Sequence, residues 1–141
     1  MTITTTPSSC SINRRVEWVD TDAGGHQHNS VLLRWAESCE AELFRGLGLP
    51  EYFPRAPRVQ QSVNFTARLW FGQRVTTTVT LEKIGRTSMA FRFDAYGHEF
   101  EGREGSPAAH GTFVTVYIAP GQDQAGPWPQ HFLDRLTPDT K

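Results

Sequence analysis

The chain changes its hydrophobic period twice near its start. Residues 13–20 alternate, with Arg14, Val16 and Trp18 on one face and Arg15, Glu17 and Val19 on the other. That predicts a strand with one half-polar face. A polar loop at residues 21–28 ends the alternation, and Gly24 and Gly25 let its backbone take angles that other residues resist. The period then becomes helical. Leu32, Trp35, Ala36, Cys39, Leu43 and Leu47 recur on one face, and Val31, Leu33 and Phe44 widen it. The spacing predicts a helix buried on more than one side. Asn29 or Ser30 caps its start, and Gly46, Gly48 and Pro50 end it.

Beyond the helix the period returns to two. Residues 51–57, with Tyr52 and Phe53, read as an irregular connection suited to cover a pocket. Residues 58–69 set Val59, Val63, Phe65, Ala67 and Leu69 against Gln60, Ser62, Asn64, Thr66 and Arg68. A second strand over residues 74–84 is rich in Val and Thr. A tight turn at Gly85 and Arg86 leads into residues 87–96, where Met89, Phe91, Phe93 and Ala95 share a face. Residues 97–109 read as a polar loop or ragged hairpin, and residues 110–119 as the last strand. Residues 120–126 form a linker, and residues 128–136 a short amphipathic helix through Phe132, Leu133 and Leu136. Residues 1–12, rich in Thr, Ser and Pro, read as a frayed tail. The organisation expected is a tail (1–12), one domain (13–119) and a C-terminal extension (120–141). One long helix and about five antiparallel strands predict an α+β fold in which a curled sheet wraps the helix. Its open sheet edge favours a dimer.

Composition narrows the picture by exclusion. At 141 residues the chain fits one domain with a real core. Hydrophobic residues make up 38% and charged residues 21%, as in folded rather than disordered chains. A formal net charge of -1 gives no global attraction to nucleic acid or anionic membrane. The two cysteines, Cys10 and Cys39, form neither a metal-ligand spacing nor a disulfide framework. No apolar run is long enough to span a bilayer, and the start of the chain lacks the pattern of a signal peptide. The expectation is a cytoplasmic protein without metal or cofactor.

The unusual chemistry lies between strand and helix. Asp20, Asp22, His26, His28 and Asn29 crowd one junction in D-T-D-A-G-G-H-Q-H-N-S-V-L-L-R-W-A-E, which ends at Glu37. This segment resembles the active-site segment of hot-dog-fold acyl-CoA thioesterases of the 4-hydroxybenzoyl-CoA thioesterase-like branch, which read roughly D-x-D-x-x-G-H-V-N-N-x-x-Y-L-R-Y-x-E. V-N-F-T-A-R-L-W-F-G-Q-R-V resembles the family's following strand and turn, and E-K-I-G-R-T-S-M-A-F its Lys-x-Gly-x-Ser turn. The likeness spans residues 14–119. It implies a helix wrapped by an antiparallel sheet, homodimers often paired into tetramers, and sites at the dimer interface. It also implies that Asp22 is the catalytic carboxylate and that the backbone N–H of Asn29 polarises the thioester carbonyl. His26 matches a histidine that works with the acid in related members, and Glu37 a helix acid used instead in another branch. The chain departs from the pattern where His28 replaces an Asn and Leu32 replaces a Tyr.

The residue types agree with thioester chemistry, and each has a plainer alternative. A helix N-terminus offers free N–H groups and partial positive charge where an oxyanion develops. Asp22 stands just before it across Gly24 and Gly25, placed to activate water or to attack directly. The alternative is a loop-closing Asx turn. Asp20 reads as a loop organiser, His28 as a pocket wall, and His26 as an orienter or proton carrier. The two histidines lack a third ligand for a metal. Glu37 either serves the site or pairs with Arg34 on the helix surface. Arg86, Thr87 and Ser88 either grip carrier phosphates or form a solvated turn. With Gly25 and His28, these three complete the expected substrate-binding set.

Three functions compete. The first is hydrolysis of acyl-CoA or acyl-carrier-protein thioesters. The second is addition of water or an amine to an enoyl thioester, with or without hydrolysis. The third is a non-catalytic acyl-binding module, which has no need of Asp22 or His26.

Overall fold

The computed structural model describes residues 7–139. Strand β1 (Ser9–Arg15) leads through a 3-10 turn at Trp18–Asp20 into α1 (Val31–Gly46). A second 3-10 turn at Pro50–Tyr52 precedes β2 (Arg58–Phe65), β3 (Arg74–Ile84), β4 (Ser88–Gly97) and β5 (Ser106–Val116), and α2 (Gln130–Leu133) follows. The strands form one antiparallel sheet in the order β1-β3-β4-β5-β2, with β1 and β2 at its edges. This is the α+β, hot-dog arrangement of a curled five-stranded sheet around a central helix.

Alternation sorts the sheet into two faces. Val79, Leu81, Met89, Phe91, Phe93 and Phe113 turn inward and are buried with Ala36, Cys39, Leu43 and Phe44 of α1. Each Val, Leu, Met or Phe among them contributes about 1.5–3 kcal/mol on burial. A second cluster lies under the first turns of α1 and joins Val16, Val31, Leu32 and Trp35 to Leu69, Val75, Ala95 and Ala109. The outer face is lined with Ser and Thr. Ser11 and Thr78 meet across β1 and β3 at 2.7 Å. Helix α1 packs chiefly on β1 and β3, which leaves the β2 side of the concave face less covered.

Several expectations change. The frayed tail was expected to reach residue 12, but β1 begins at Ser9 and pairs with β3 from Ser9↔Thr80 to Arg15↔Arg74. Residues 1–6 lie outside the described residues. Cys10, Ile12 and Arg14 continue the inward row, so period two runs further back than the Ser/Thr-rich composition suggests. Strand geometry stops at Arg15, and Trp18 and Val19 sit exposed in the 3-10 turn. Strand β2 ends at Phe65, and a register shift between Arg58 and Gln60 leaves Val59 60% exposed. Strand β5 starts at Ser106, within the expected loop, because Ser106 pairs with Gly97. Tyr52 is no lid: its ring stacks on Phe44 at 3.5 Å and is buried.

The C-terminal extension is part of the core. Trp128, Phe132 and Leu136 are buried in the cluster that holds Phe44. The Arg135 guanidinium donates to the carbonyls of Leu47 (3.2 Å) and Gly48 (2.8 Å), where α1 leaves unpaired acceptors.

Candidate active site

The loop between the 3-10 turn and α1 is fixed from both sides. Asp20 is buried. Its carboxylate accepts the Glu17 N–H at 2.8 Å and faces Arg34 at 3.8 Å, while its carbonyl accepts the His28 N–H at 2.7 Å. Asp20 therefore orders the loop, and Arg34 turns to it. Gln27 is buried and clamps the loop to the sheet. Its N–H donates to the Leu69 carbonyl at 2.9 Å, and its Oε1 accepts the Leu69 N–H at 2.7 Å. Sequence reasoning missed Gln27, because an isolated loop amide carries no periodic signal.

Asp22 and His26 converge over Gly24. One Asp22 oxygen, Oδ1, accepts the Gly24 N–H at 2.8 Å, so the loop-closing bond expected as the alternative role is present. Oδ2 has no hydrogen-bond partner among the described residues. A Cβ on Gly24 would lie 3.1 Å from Asp22 Oδ1 and 3.2 Å from His26 Nε2, which sets both side chains against the same backbone. Gly25 has φ +86°, a left-handed angle that glycine adopts without strain. The His26 ring meets the Trp70 ring edge-on at 5.8 Å, and its Nδ1 is buried with no partner among the described residues. A buried polar atom left unpaired is costly and points to a role.

The start of α1 faces the same space. Ser30 is the N-cap but makes no side-chain cap bond. His28 supplies it: its Nδ1 accepts the Ser30 N–H at 3.1 Å and lies 2.9 Å from the Ser30 hydroxyl, which places its proton on Nε2. The Asn29 N–H has no partner among the described residues. Asp22, His26, His28 and Asn29 line one cavity of about 420 Å³, closed on the other side by Phe65, Thr66 and Arg68 of the β2 end.

Two expected site groups lie elsewhere on the chain. Glu37 is exposed on α1 and lines a separate cavity with Glu40, Tyr52 and Arg58. Arg86, Thr87 and Ser88 form the turn between β3 and β4, beside Tyr117 and Trp128. That turn stands at the Arg58 end of the sheet, whereas Asp22 stands at the Phe65 end. Arg68 was not expected in the site. Its place in the β2 alternation reads as solvent-facing, but the strand has ended before it.

Solved structures share this architecture at low identity. A mutant 4-hydroxybenzoyl CoA thioesterase complexed with 4-hydroxybenzoyl CoA superposes with TM-score 0.81 at 16% identity, over 92% of this chain and 99% of that one. A 1,4-dihydroxy-2-naphthoyl-CoA thioesterase from Synechocystis gives 0.77 at 18%, over 90% and 94%. A thioesterase from Thermus thermophilus, complexed with coenzyme A and Zn, gives 0.78 at 21%, over 90% of each. These likenesses establish the fold. Comparison with curated protein sequences gives no significant match. The sequence profile of the Thioesterase-like superfamily matches residues 16–136, a span that includes the whole Asp22 cavity, and the chain belongs to that superfamily.

Proposed function

We propose that the protein hydrolyses an acyl thioester, releasing a carboxylic acid from acyl-CoA or an acyl-carrier protein. The observation that carries this is the meeting in one cavity of an Asp22 carboxylate oxygen, the buried His26 Nδ1 and the Asn29 N–H, none of which has a hydrogen-bond partner among the described residues. The substrate carbonyl points at the Asn29 N–H and the first turn of α1, where developing negative charge meets a fixed donor and the helix dipole. Asp22 Oδ2 removes a proton from water, and the water oxygen adds to the carbonyl carbon. The C–S bond then breaks and the thiolate leaves, taking a proton from His26 or solvent. Direct attack by Asp22 gives an anhydride that water opens, with the same products.

The site works as part of a homodimer or dimer of dimers. Strand β2 is a sheet edge with Val59 and Phe65 exposed, which invites pairing with a second copy. If two β2 edges pair antiparallel about a twofold axis, the Arg58 end of one protomer lies beside the Phe65 end of the other. Glu37 and the Arg86–Thr87–Ser88 turn of one protomer then approach the Asp22 cavity of its partner. Arg86 and Arg68 are the cations offered to carrier phosphates, and Glu37 is a second acid at the cavity mouth.

Release of free thiol and loss of the enoyl double bond, both followed over a panel of saturated and enoyl thioesters on CoA and on carrier protein, with and without an added amine, test the reading. Hydrolysis of saturated thioesters without amine is the expected result. Turnover confined to enoyl substrates with amine would establish conjugate addition instead, and no turnover with tight acyl binding would leave a binding module.

A further inference from the structure

The second cavity has a floor that an acyl pocket built for plain hydrocarbon would not have. It measures about 530 Å³, within the range of small-ligand sites, and lies between the middle of α1 and the start of β2. Phe53 and Ala56 supply apolar wall. At its base Glu40 sits with only 8% of its side chain exposed, although it occupies a helix. One carboxylate oxygen accepts from Arg58 Nη2 at 2.8 Å, and the other accepts from the Tyr52 hydroxyl, which lies 3.1 Å from the Thr115 hydroxyl. Arg58 is 17% exposed, rests 3.9 Å over the Phe113 ring and reaches Gln61 at 3.2 Å. Burial, then the Glu40 charge, hold the Tyr52 phenol well above its usual range, so it stays a donor.

Burying an ion pair of this kind costs desolvation that a hydrophobic replacement would avoid. Among the described residues Glu40 accepts two hydrogen bonds and Arg58 donates two, so capacity remains on both, since a carboxylate accepts about four bonds and a guanidinium donates five. A hydrocarbon tail pushed against the pair strips its remaining water and returns no hydrogen bond. A hydroxyl satisfies both members, donating to Glu40 and accepting from Arg58. A second carboxylate does not fit, because Glu37 already lines the same cavity and Arg58 is its one lining cation among the described residues. We infer that the Glu40–Arg58–Tyr52 cluster is a specificity site for the far end of the acyl group, selecting a hydroxyl-bearing acyl group over a plain alkyl or carboxylate-ended one. This rests on the thioesterase reading and on the dimer geometry that sets the cavity against the Asp22 site of the partner protomer.

The test is a ladder of acyl-CoAs of graded length, each made with a terminal hydroxyl, methyl or carboxylate. At the length that spans the two cavities, kcat/KM for the hydroxyl form is expected to exceed the methyl form by roughly 10-fold or more, because a site built around hydrogen bonds rejects the analogue that lacks them. The carboxylate form is expected to be the poorest. Glu40→Gln and the milder Tyr52→Phe should collapse the hydroxyl-to-methyl ratio at least about fivefold, a change in selectivity that a purely structural role would not produce. Non-hydrolysable S-(ω-hydroxyalkyl)-CoA and S-alkyl-CoA thioethers, read by calorimetry, keep the test independent of turnover. If no thioester is cleaved but the hydroxylated thioether binds tighter, the specificity site stands and the hydrolase reading falls. Equal kcat/KM and equal Kd for hydroxyl and methyl ends at every length would overturn the inference. So would variants that weaken only the dimer, which would mean that a second copy fills the cavity.

Discussion

Gly24 marks how tightly the Asp22 and His26 side chains are set. Its missing side chain leaves room for Asp22 and His26 to sit against one stretch of backbone. Gly24→Ala should therefore press on both groups and lower kcat by about 10-fold while moving the thermal midpoint little, since an exposed loop position carries little of the core. Steady-state kinetics beside a melting curve checks this, and an unaffected kcat would mean that the two side chains have slack. His26→Ala should lower kcat, but less than loss of Asp22, if its part is to orient and to move a proton. At this scale the sequence was partly legible. Asp22, His26 and Asn29 stood out because acids, imidazoles and glycines rarely gather before a helix without chemical use. Glu40 did not, because a glutamate on a helix reads as solvent-facing unless its position is counted. It falls four residues after Ala36 and four before Phe44, inside the buried stripe, and that spacing was the signal. Arg58, the first residue of a strand, gave no sign that its charge would turn inward.

Elements were predicted best where their period was long and clean. The middle of α1 follows the expected spacing, since it buries one continuous row, and β3 occupies the residues expected for it. Ends were less legible because hydrogen bonds to distant residues set them. β1 gains Ser9 and Ser11 through hydroxyl pairs with Thr80 and Thr78, partners that lie far along the chain. Removing residues 1–12 should consequently destabilise the fold rather than trim a tail. A truncated protein with an unchanged urea midpoint would show that β1 is dispensable. The start of α1 depends on the His28 imidazole, so His28→Ala should cost about 1 kcal/mol, in the range measured for lost helix caps. Urea titration reads that loss, and His28→Asn, which keeps an acceptor, should recover part of it.

Two predictions belong to the whole molecule, one about pH and one about assembly. Burial raises the Cys39 thiol from 9.0 to about 11, and burial with the Glu40 charge raises the Tyr52 phenol well above 10.0. Both groups keep their protons in the folded state after the unfolded chain has begun to lose them. The Cys39 contribution is fully present below pH 9.0 and is lost as pH rises toward about 11, and that of Tyr52 is fully present below pH 10.0 and is lost only well above it. Unfolding free energy should accordingly fall across that window, and a Cys39→Ser protein should lose less of it there. The open β2 edge predicts a dimer or larger assembly by light scattering at micromolar concentration, and a monomer would contradict the shared site. Curling of the sheet around α1 was legible, because a helix apolar over more than half its circumference needs such a cover, whereas closure of the core by Trp128 and Phe132 was not, because it depends on contacts across the whole chain. If the Asp22 carboxylate drives thioester cleavage at the start of α1, thiol release from one acyl-CoA should separate wild type, Asp22→Asn and Glu37→Gln, all checked for native melting. Asp22→Asn should lose at least about 10²-fold and Glu37→Gln less. Near wild-type turnover in Asp22→Asn with a dead Glu37→Gln would contradict it, placing the chemistry on the helix acid and leaving Asp22 as the residue that closes its loop.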